Sequence, residues 1–461
     1  MSYFLIFDIG KTNKKWLLFD EHLRHLAEHV ERFEEITDED GFPAENLPAV
    51  EAWVTAQLIK VEKTVGQPPT GVNFSTYGAT MVHLNGAGRP VGLPLNYLKP
   101  LPAVIENQFL AQYGPAHEFA LATSSPFMGM LNSGLQLYHY KYSRPRVFSQ
   151  IKTSLHLPQY LSYLLQGQAV SEPTSLGCHT GLWNFAAGTY ANWVATEGFT
   201  ALLPPLASQV SSVKPIDSNQ TVGLGLHDSS ASLLPYTQAG LSEFVLLSTG
   251  TWSIGLNPAN HKALTPELLA ADCLHFLSSD FTPVLASRLF LGKAYEEGSL
   301  SIKKHYGVNI GDLTAYKYSL KEISEGLRAL TGDTGICSLA TVKIGESSLV
   351  PVPKANEIYQ QPDARSAYLL LNLYLAAAQV KSLSYILLPT TKKIIVSGGF
   401  CQNKLFLTIL ANYYAERSVY TSEMPHASAL GAAALLLPEV KRKAALTAIV
   451  NNSLEVVDKM G

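Results

Sequence analysis

At 461 residues, with 47% hydrophobic and 15% charged side chains, the chain has apolar material for more than one buried core and no compositional mark of extended disorder. A formal net charge of -3, from 34 basic and 37 acidic residues, gives no field to draw in nucleic acid or an anionic membrane. The four cysteines, Cys178, Cys273, Cys337 and Cys401, stand at least 64 positions apart, which excludes close zinc-binding pairs and a disulfide framework and reads as reduced, mostly buried thiols.

Met1-Ser2-Tyr3 leads straight into an apolar strand with no basic region ahead of it, so no signal peptide is expected and the expected address is the cytoplasm. The first 30 residues alternate strand and turn: an apolar run to Ile9, a polar turn through Lys15, a second run Trp16 to Phe19, and a turn at Asp20-Glu21. This predicts a tight β-meander. After the acidic loop Glu31 to Glu45, the pattern predicts an amphipathic helix over Leu47 to Val65 and a strand over Gly71 to Ser75 that runs into Thr76-Tyr77-Gly78.

The first turn holds Thr12, Asn13, Lys14 and Lys15, which together offer hydroxyl, amide, backbone N–H and cationic donors to phosphate oxygens. Asp8, at the end of the first strand, is placed to hold Mg²⁺ through water. An exposed hairpin tip with lysines for solubility is the alternative reading. Against it stands Asp8-Ile9-Gly10, an acid and a glycine where a strand would otherwise continue.

Gly223 to Ser232 reads as a glycine-rich apolar strand followed by His227-Asp228 at the start of a helix, where the helix dipole favours an ionised carboxylate. Such a carboxylate can orient a hydroxyl and accept its proton; equally, Asp228 can be an N-cap and nothing more. A second hairpin follows, with runs Glu243 to Leu247 and Trp252 to Leu256 flanking Ser248-Thr249-Gly250-Thr251. It presents hydroxyls, and Gly250 permits close approach of backbone to a ligand.

The apolar tract Tyr368 to Val380 is too short for a bilayer span and reads as a buried helix within a helical pattern over Arg365 to Leu387. Next come a strand, Ile394 to Ser397, Gly398-Gly399, and a helix, Lys404 to Tyr414. Glycines at that junction let a nucleotide lie against backbone, with Gln402 and Asn403 in reach of base or ribose. A helix entry that needs glycine only for its turn fits equally. One hairpin plan thus occurs twice with negligible identity between halves, which implies two related α/β domains meeting at a cleft.

Taken in order, these segments resemble the FGGY carbohydrate kinases of the actin, Hsp70 and sugar kinase superfamily, with the nearest likeness to the rhamnulokinase and fuculokinase branch. Asp8 to Lys15 resembles that family's first phosphate motif, and Ser248-Thr249-Gly250-Thr251-Trp252-Ser253 its second. Ser397-Gly398-Gly399 with Gln402-Asn403 is similar to the adenosine motif, and Ala427 to Ala433 to the closing helix near the hinge. Tyr77-Gly78, Gly92 to Tyr97 and Leu157 to Tyr163 resemble sugar-side segments, and His227-Asp228 the family's HD pair, whose aspartate is the general base.

The resemblance implies an α/β fold of two actin-like (ribonuclease H-like) domains, residues 1–238 and 239–461, with a catalytic cleft between them. It implies ATP-dependent phosphorylation of a primary hydroxyl on a small ketose or deoxyketose, of the L-rhamnulose or L-fuculose kind, by a monomer or homodimer. Asp228 would be the base, with Tyr77, Gly78, His227 and Ser229 lining the sugar pocket. Lys11, Thr12, Asn13, Lys14, Lys15, Gly250, Thr251, Gly398, Gly399 and Asn403 would hold the nucleotide, with Mg²⁺ at Asp8. Lys11, Lys15, Thr80, Lys99 and His426 depart from the family pattern; Thr80 and Lys99 stand where acids that contact sugar hydroxyls are common. A degenerate kinase that binds sugar or nucleotide without turnover is the alternative function.

Overall fold

A computed structural model describes residues 2–207, 212–213, 220–331 and 355–459. Its first sheet grows from the predicted meander: β1 (Tyr3–Ile9), β2 (Lys14–Asp20) and β3 (His25–Glu31) run antiparallel in turn. The crossover helix α1 (Leu47–Val65) starts where the Asn46 side chain accepts from the Ala49 N–H and Pro48 stands in the first turn. It stops at Gly66, whose φ of 81° suits the left-handed C-cap. The chain then returns as β4 (Gly71–Thr76), parallel to β1. Two short strands, β5 (Thr221–Gly223) and β6 (Leu226–His227), lie parallel to β4 on its other side, and Ser212–Val213 pairs with β5.

Helix α2 (Asp228–Gln238) leads to the second sheet, whose strands are β7 (Phe244–Thr249), β8 (Ser253–Asn257), β9 (Cys273–Leu277) and β10 (Pro283–Leu289). After helices α3 (Leu291–Tyr306) and α4 (Ala364–Ser384) come β11 (Lys393–Gly398), α5 (Lys404–Tyr413) and β12 (Ser418–Ser422). Helices α6 (Ala427–Ala434) and α7 (Glu439–Ser453) and the edge strand β13 (Leu454–Val456) close the chain. The strand order is β9-β10-β8-β7-β11-β12-β13. Here β7 is antiparallel to β8 and parallel to β11, just as β1 is antiparallel to β2 and parallel to β4. The hairpin plan read twice in the sequence is one β-sheet arrangement built twice.

The buried helix expected within Arg365 to Leu387 is α4, which carries Leu371, Leu375 and Val380 into a core under the second sheet. Of the buried Gln379 amide on this helix, Oε1 accepts from Ser253 Oγ at 2.7 Å. A second core joins the two sheets, packing Ile6 and Leu17 with Leu234, Leu246 and Leu430 around α2 and α6. Between β4 and β5 the chain builds a further lobe with its own core, including Met81, Phe109, Tyr138 and Phe199.

Three details differ from expectation. Trp252 belongs to the hairpin turn, so the strand starts at Ser253; a 3₁₀ turn, Gly399–Gln402, separates β11 from α5; and Cys401 is only half buried. Cys178, Cys273 and Cys401 are free thiols, and Cys337 lies outside the described residues. Among the described residues, no helix is long and apolar enough to cross a membrane.

Candidate active site

Parallel strands β1, β4 and β6 end side by side, since Ile9 and His227 both lie opposite Thr76. The carboxyl edge of the sheet therefore gathers Asp8, Tyr77-Gly78 and His227-Asp228, segments more than 200 residues apart at the extremes. Such an edge is where open α/β sheets form ligand crevices.

Asp8 sits opposite Lys15 on β2 and Ser75 on β4, and Ser428 Oγ at the start of α6 donates to its Oδ1 at 3.3 Å. Burial, and then the charge of Asp228, push the Asp8 carboxyl up to about 6, while the Lys15 ammonium pulls it down. Asp228 opens α2, where its Oδ1 accepts from its neighbour Ser229, from the N–H at 2.6 Å and the hydroxyl at 3.2 Å. Burial lifts it also to about 6 against those bonds. The site thus holds two half-buried carboxylates that repel each other, both raised towards neutrality.

His227 Nε2 lies 3.3 Å from Asp228 Oδ1 and 3.1 Å from Cys178 Sγ. Burial pulls the imidazole down to about 4, so the ring is neutral and lies beside Asp228 without an opposing charge. Its face stacks on Phe276 of β9, at 5.8 Å and 10°. Gly78 makes room for this ring, because a Cβ there would lie 2.9 Å from Cys178 Sγ and 3.0 Å from His227 Cδ2. The glycine and the histidine singled out separately in the sequence are one packing unit.

The three lysines of the first turn point to different ends. Lys14 is buried, its ammonium paired with Glu45 at 2.9 Å and donating to the Gly10 and Lys11 carbonyls at 3.2 and 3.0 Å. It braces the turn from beneath and is spent there, contrary to its expected place on a phosphate. Glu45 also accepts from the Tyr77 hydroxyl at 2.8 Å, so Tyr77 shares that internal anchor. Lys11 reaches Glu35 at 2.5 Å and lies over the rings of Tyr77 and Tyr97, at 5.7 and 5.8 Å. That puts its charge beside the sugar-side aromatics. Lys15, opposite Asp8 across the hairpin, lowers the Asp8 carboxyl. Asn13 accepts from Arg32 Nε at 2.8 Å, and Thr12 is exposed at the tip.

In the second half, Gly250, Gly399 and Asn403 line a cavity of about 360 Å³ together with Gly292, Tyr295, Thr314, Phe400 and Gln402. Its walls depend on backbone contacts that only glycine allows: a Cβ on Gly398, with φ 86°, would meet the Thr249 carbonyl at 2.0 Å, and one on Gly292 the Gly250 carbonyl at 2.0 Å. The Thr251 carbonyl accepts from the Gly292 and Lys293 N–H groups and fixes the second hairpin turn. Asn403 caps α5 through the Phe406 N–H at 3.1 Å and donates to Asn372 at 2.8 Å, so its amide is already committed. Gly292, Tyr295 and Thr314 were not legible in the sequence, since nothing local marks them. Glu45 escaped notice for the same reason, whereas Ser428 lay within the Ala427 to Ala433 segment but was given no site role.

Of the positions that depart from the family pattern, Thr80 is buried with its hydroxyl 3.4 Å from the Gly78 carbonyl, and Lys99 pairs with Asp38 and Asp40. Lys99 is thereby committed to an ion pair. His426 pairs with Glu28 at 3.0 Å.

Residues 241–445 match the family described as carbohydrate kinase FGGY, C-terminal domain. That segment is therefore similar to an FGGY carbohydrate kinase C-terminal domain. Over 265 residues the chain is 22% identical to a rhamnulokinase of Halalkalibacterium halodurans, a match covering 55% of this chain and 56% of that relative. The chain thus spans about half the length of the curated relative it matches. Across the whole molecule the fold is similar to a carbohydrate kinase from Novosphingobium aromaticivorans, with TM-score 0.76, 24% identity, and 99% and 96% of the two chains covered. It is also similar to a ligand-bound xylulose kinase from Lactobacillus acidophilus, with TM-score 0.76, 16% identity, and 100% and 93% covered. Plasmodium falciparum glycerol kinase with ADP superposes at TM-score 0.74 and 15% identity, with 100% and 94% covered. Over its whole length the chain therefore shares the fold of these kinases.

Proposed function

We propose that this FGGY protein is an ATP-dependent sugar kinase that transfers the γ-phosphoryl group to a primary hydroxyl of a small ketose or deoxyketose, of the L-rhamnulose or L-fuculose kind. The observation that carries the reading is Asp228: a half-buried carboxylate at the carboxyl edge of the first sheet, raised to about 6, beside a neutral histidine and close enough to Asp8 of β1 to raise its carboxyl as well. Asp228 takes the hydroxyl proton, the freed oxygen forms its bond to the γ-phosphorus, and the bond to the β–γ bridging oxygen breaks to release ADP. A base with a pKa near the working pH is ionised yet still basic enough to accept that proton.

His227, held neutral by burial, donates to or accepts from the sugar and keeps Asp228 in place, with Gly78 and Tyr77 shaping the wall beside them. Ser229 anchors the carboxylate. Lys15 is the lysine we assign to phosphate, and the backbone around Thr12 and Asn13 with that of Gly250 and Thr251 holds phosphate oxygens from the two lobes. The adenosine end lies in the cavity of Gly399 and Asn403, with Gly398 setting its floor. The half-buried Asp8 carboxylate, raised by its neighbour's charge, is a donor that a hard divalent cation would stabilise, so Asp8 fits as the holder of Mg²⁺, which when bound would neutralise phosphate oxygens.

Coupled ADP release across ketoses, deoxyketoses and polyols tests the reading. A sugar-dependent signal is expected for at least one ketose. Binding by calorimetry with no ADP from any sugar would leave the degenerate, non-turning-over protein instead.

A further inference from the structure

The departure at His426 has a structural partner set of its own. On a regular strand, residues three apart face opposite sides, and His25 and Glu28 of β3 would be separated. The register of β3 on β2 shifts between Leu18 and Phe19, so Glu28 lies opposite Leu17 and His25 opposite Phe19. This bulge brings both side chains to the face that packs towards α6. At the N-cap of α6, His426 has φ 54°, a left-handed conformation that a non-glycine residue adopts only when its surroundings impose it.

His426 Nε2 lies 3.0 Å from Glu28 Oε2, His25 Nε2 lies 4.0 Å from the same oxygen, and the two imidazoles lie 5.1 Å apart between centroids, tilted by 53°. All three donor atoms fall within 4.8 Å of one another. Around an ion bound at about 2.1 Å, donors stand about 3.3 Å apart, so small rotamer changes close the set. Two imidazoles and a carboxylate suit a borderline transition ion rather than Mg²⁺.

We propose that His25, Glu28 and His426 form a Zn²⁺-class metal site that bridges β3 of the first sheet and the N-terminus of α6 from the C-terminal half. The site lies outside the Asp8–Asp228 crevice. It touches that crevice through the chain, since Ser428, two residues on, donates to Asp8. Lys15 adds positive charge near His426, which sets the expected affinity in the micromolar rather than the nanomolar range.

The test uses the full chain, stripped of metal and held in excess Mg²⁺, titrated with Zn²⁺ alone by calorimetry. One Zn²⁺ is expected, with Glu28→Gln and His426→Ala each weakening it by about tenfold or more and Cys401→Ser leaving it unchanged. Zn²⁺ is also expected to raise the melting temperature of the wild type, because it ties two elements together, and to leave that of the Glu28→Gln/His426→Ala double variant unmoved. Absence of binding, binding that survives both substitutions, loss of binding in Cys401→Ser, or binding with no thermal shift each overturns the proposal.

Discussion

The charge pattern of a single turn separates three lysines that the sequence presents as equals. Lys14 is enclosed with Glu45, so Lys14→Met strands a buried carboxylate and is expected to cost about 3–5 kcal/mol in urea unfolding. Lys15→Met is expected to leave stability nearly unchanged and to raise KM for ATP, the role we propose for Lys15. An unaltered KM would return the phosphate contact to the turn backbone. Asp228→Asn is expected to keep ATP affinity while turnover falls by about 10³-fold or more, read by single-turnover phosphorylation. Because burial raises Asp228 to about 6, kcat/KM is expected to fall as pH drops through that value, where the base becomes protonated. Turnover that stays flat to acid pH would remove Asp228 from its role.

At the scale of elements, glycine contacts decide which surfaces meet. A Cβ on Gly431 of α6 would lie 2.1 Å from the Ala231 carbonyl of α2. Gly431→Ala therefore wedges apart the two helices that link the sheets, with an expected loss of about 3 kcal/mol and a lower melting temperature. Gly78→Ala acts differently: it pushes on the His227 ring and should lower kcat more than stability, as a paired activity and denaturation measurement will show. Neither contact was readable from local sequence. Gly78 stood out by its place after a strand, but its partner His227 comes 149 positions later. The bulge that aligns His25 with Glu28 was hidden too, because strand periodicity alone puts them on opposite faces.

For the whole molecule, the pH dependence of stability follows from buried acids. Glu172, enclosed at the N-cap of the short helix Pro173–Leu176, is pushed up to about 7 from 4.5 by burial, against bonds from Thr174 and Ser175. A raised carboxylate pKa means the folded state holds its proton more tightly. The contribution of Glu172 to stability is therefore greatest below 4.5 and is lost as pH rises to about 7, by about 3 kcal/mol. Glu172→Gln is expected to raise stability at about pH 8 and to change little at about pH 4, measured by urea midpoints. A variant whose midpoint tracks the wild type at both values would show that Glu172 does not carry this slope.

The sequence by itself determined the meander, α1, the paired hairpins, α4 and the glycine junction before α5, because each is written in short-range periodicity, caps and turn residues. It also placed Asp8 and His227-Asp228 at strand ends. Only the tertiary structure brought those strand ends to one edge, set Ser428 against Asp8 from 420 positions away, buried Lys14 on Glu45, and folded the lobe of residues 81–207 around a core of its own. These outcomes depend on contacts between distant segments. Burial and charge at such contacts, rather than residue type, decide which acid titrates near neutrality and which lysine is left to meet a ligand.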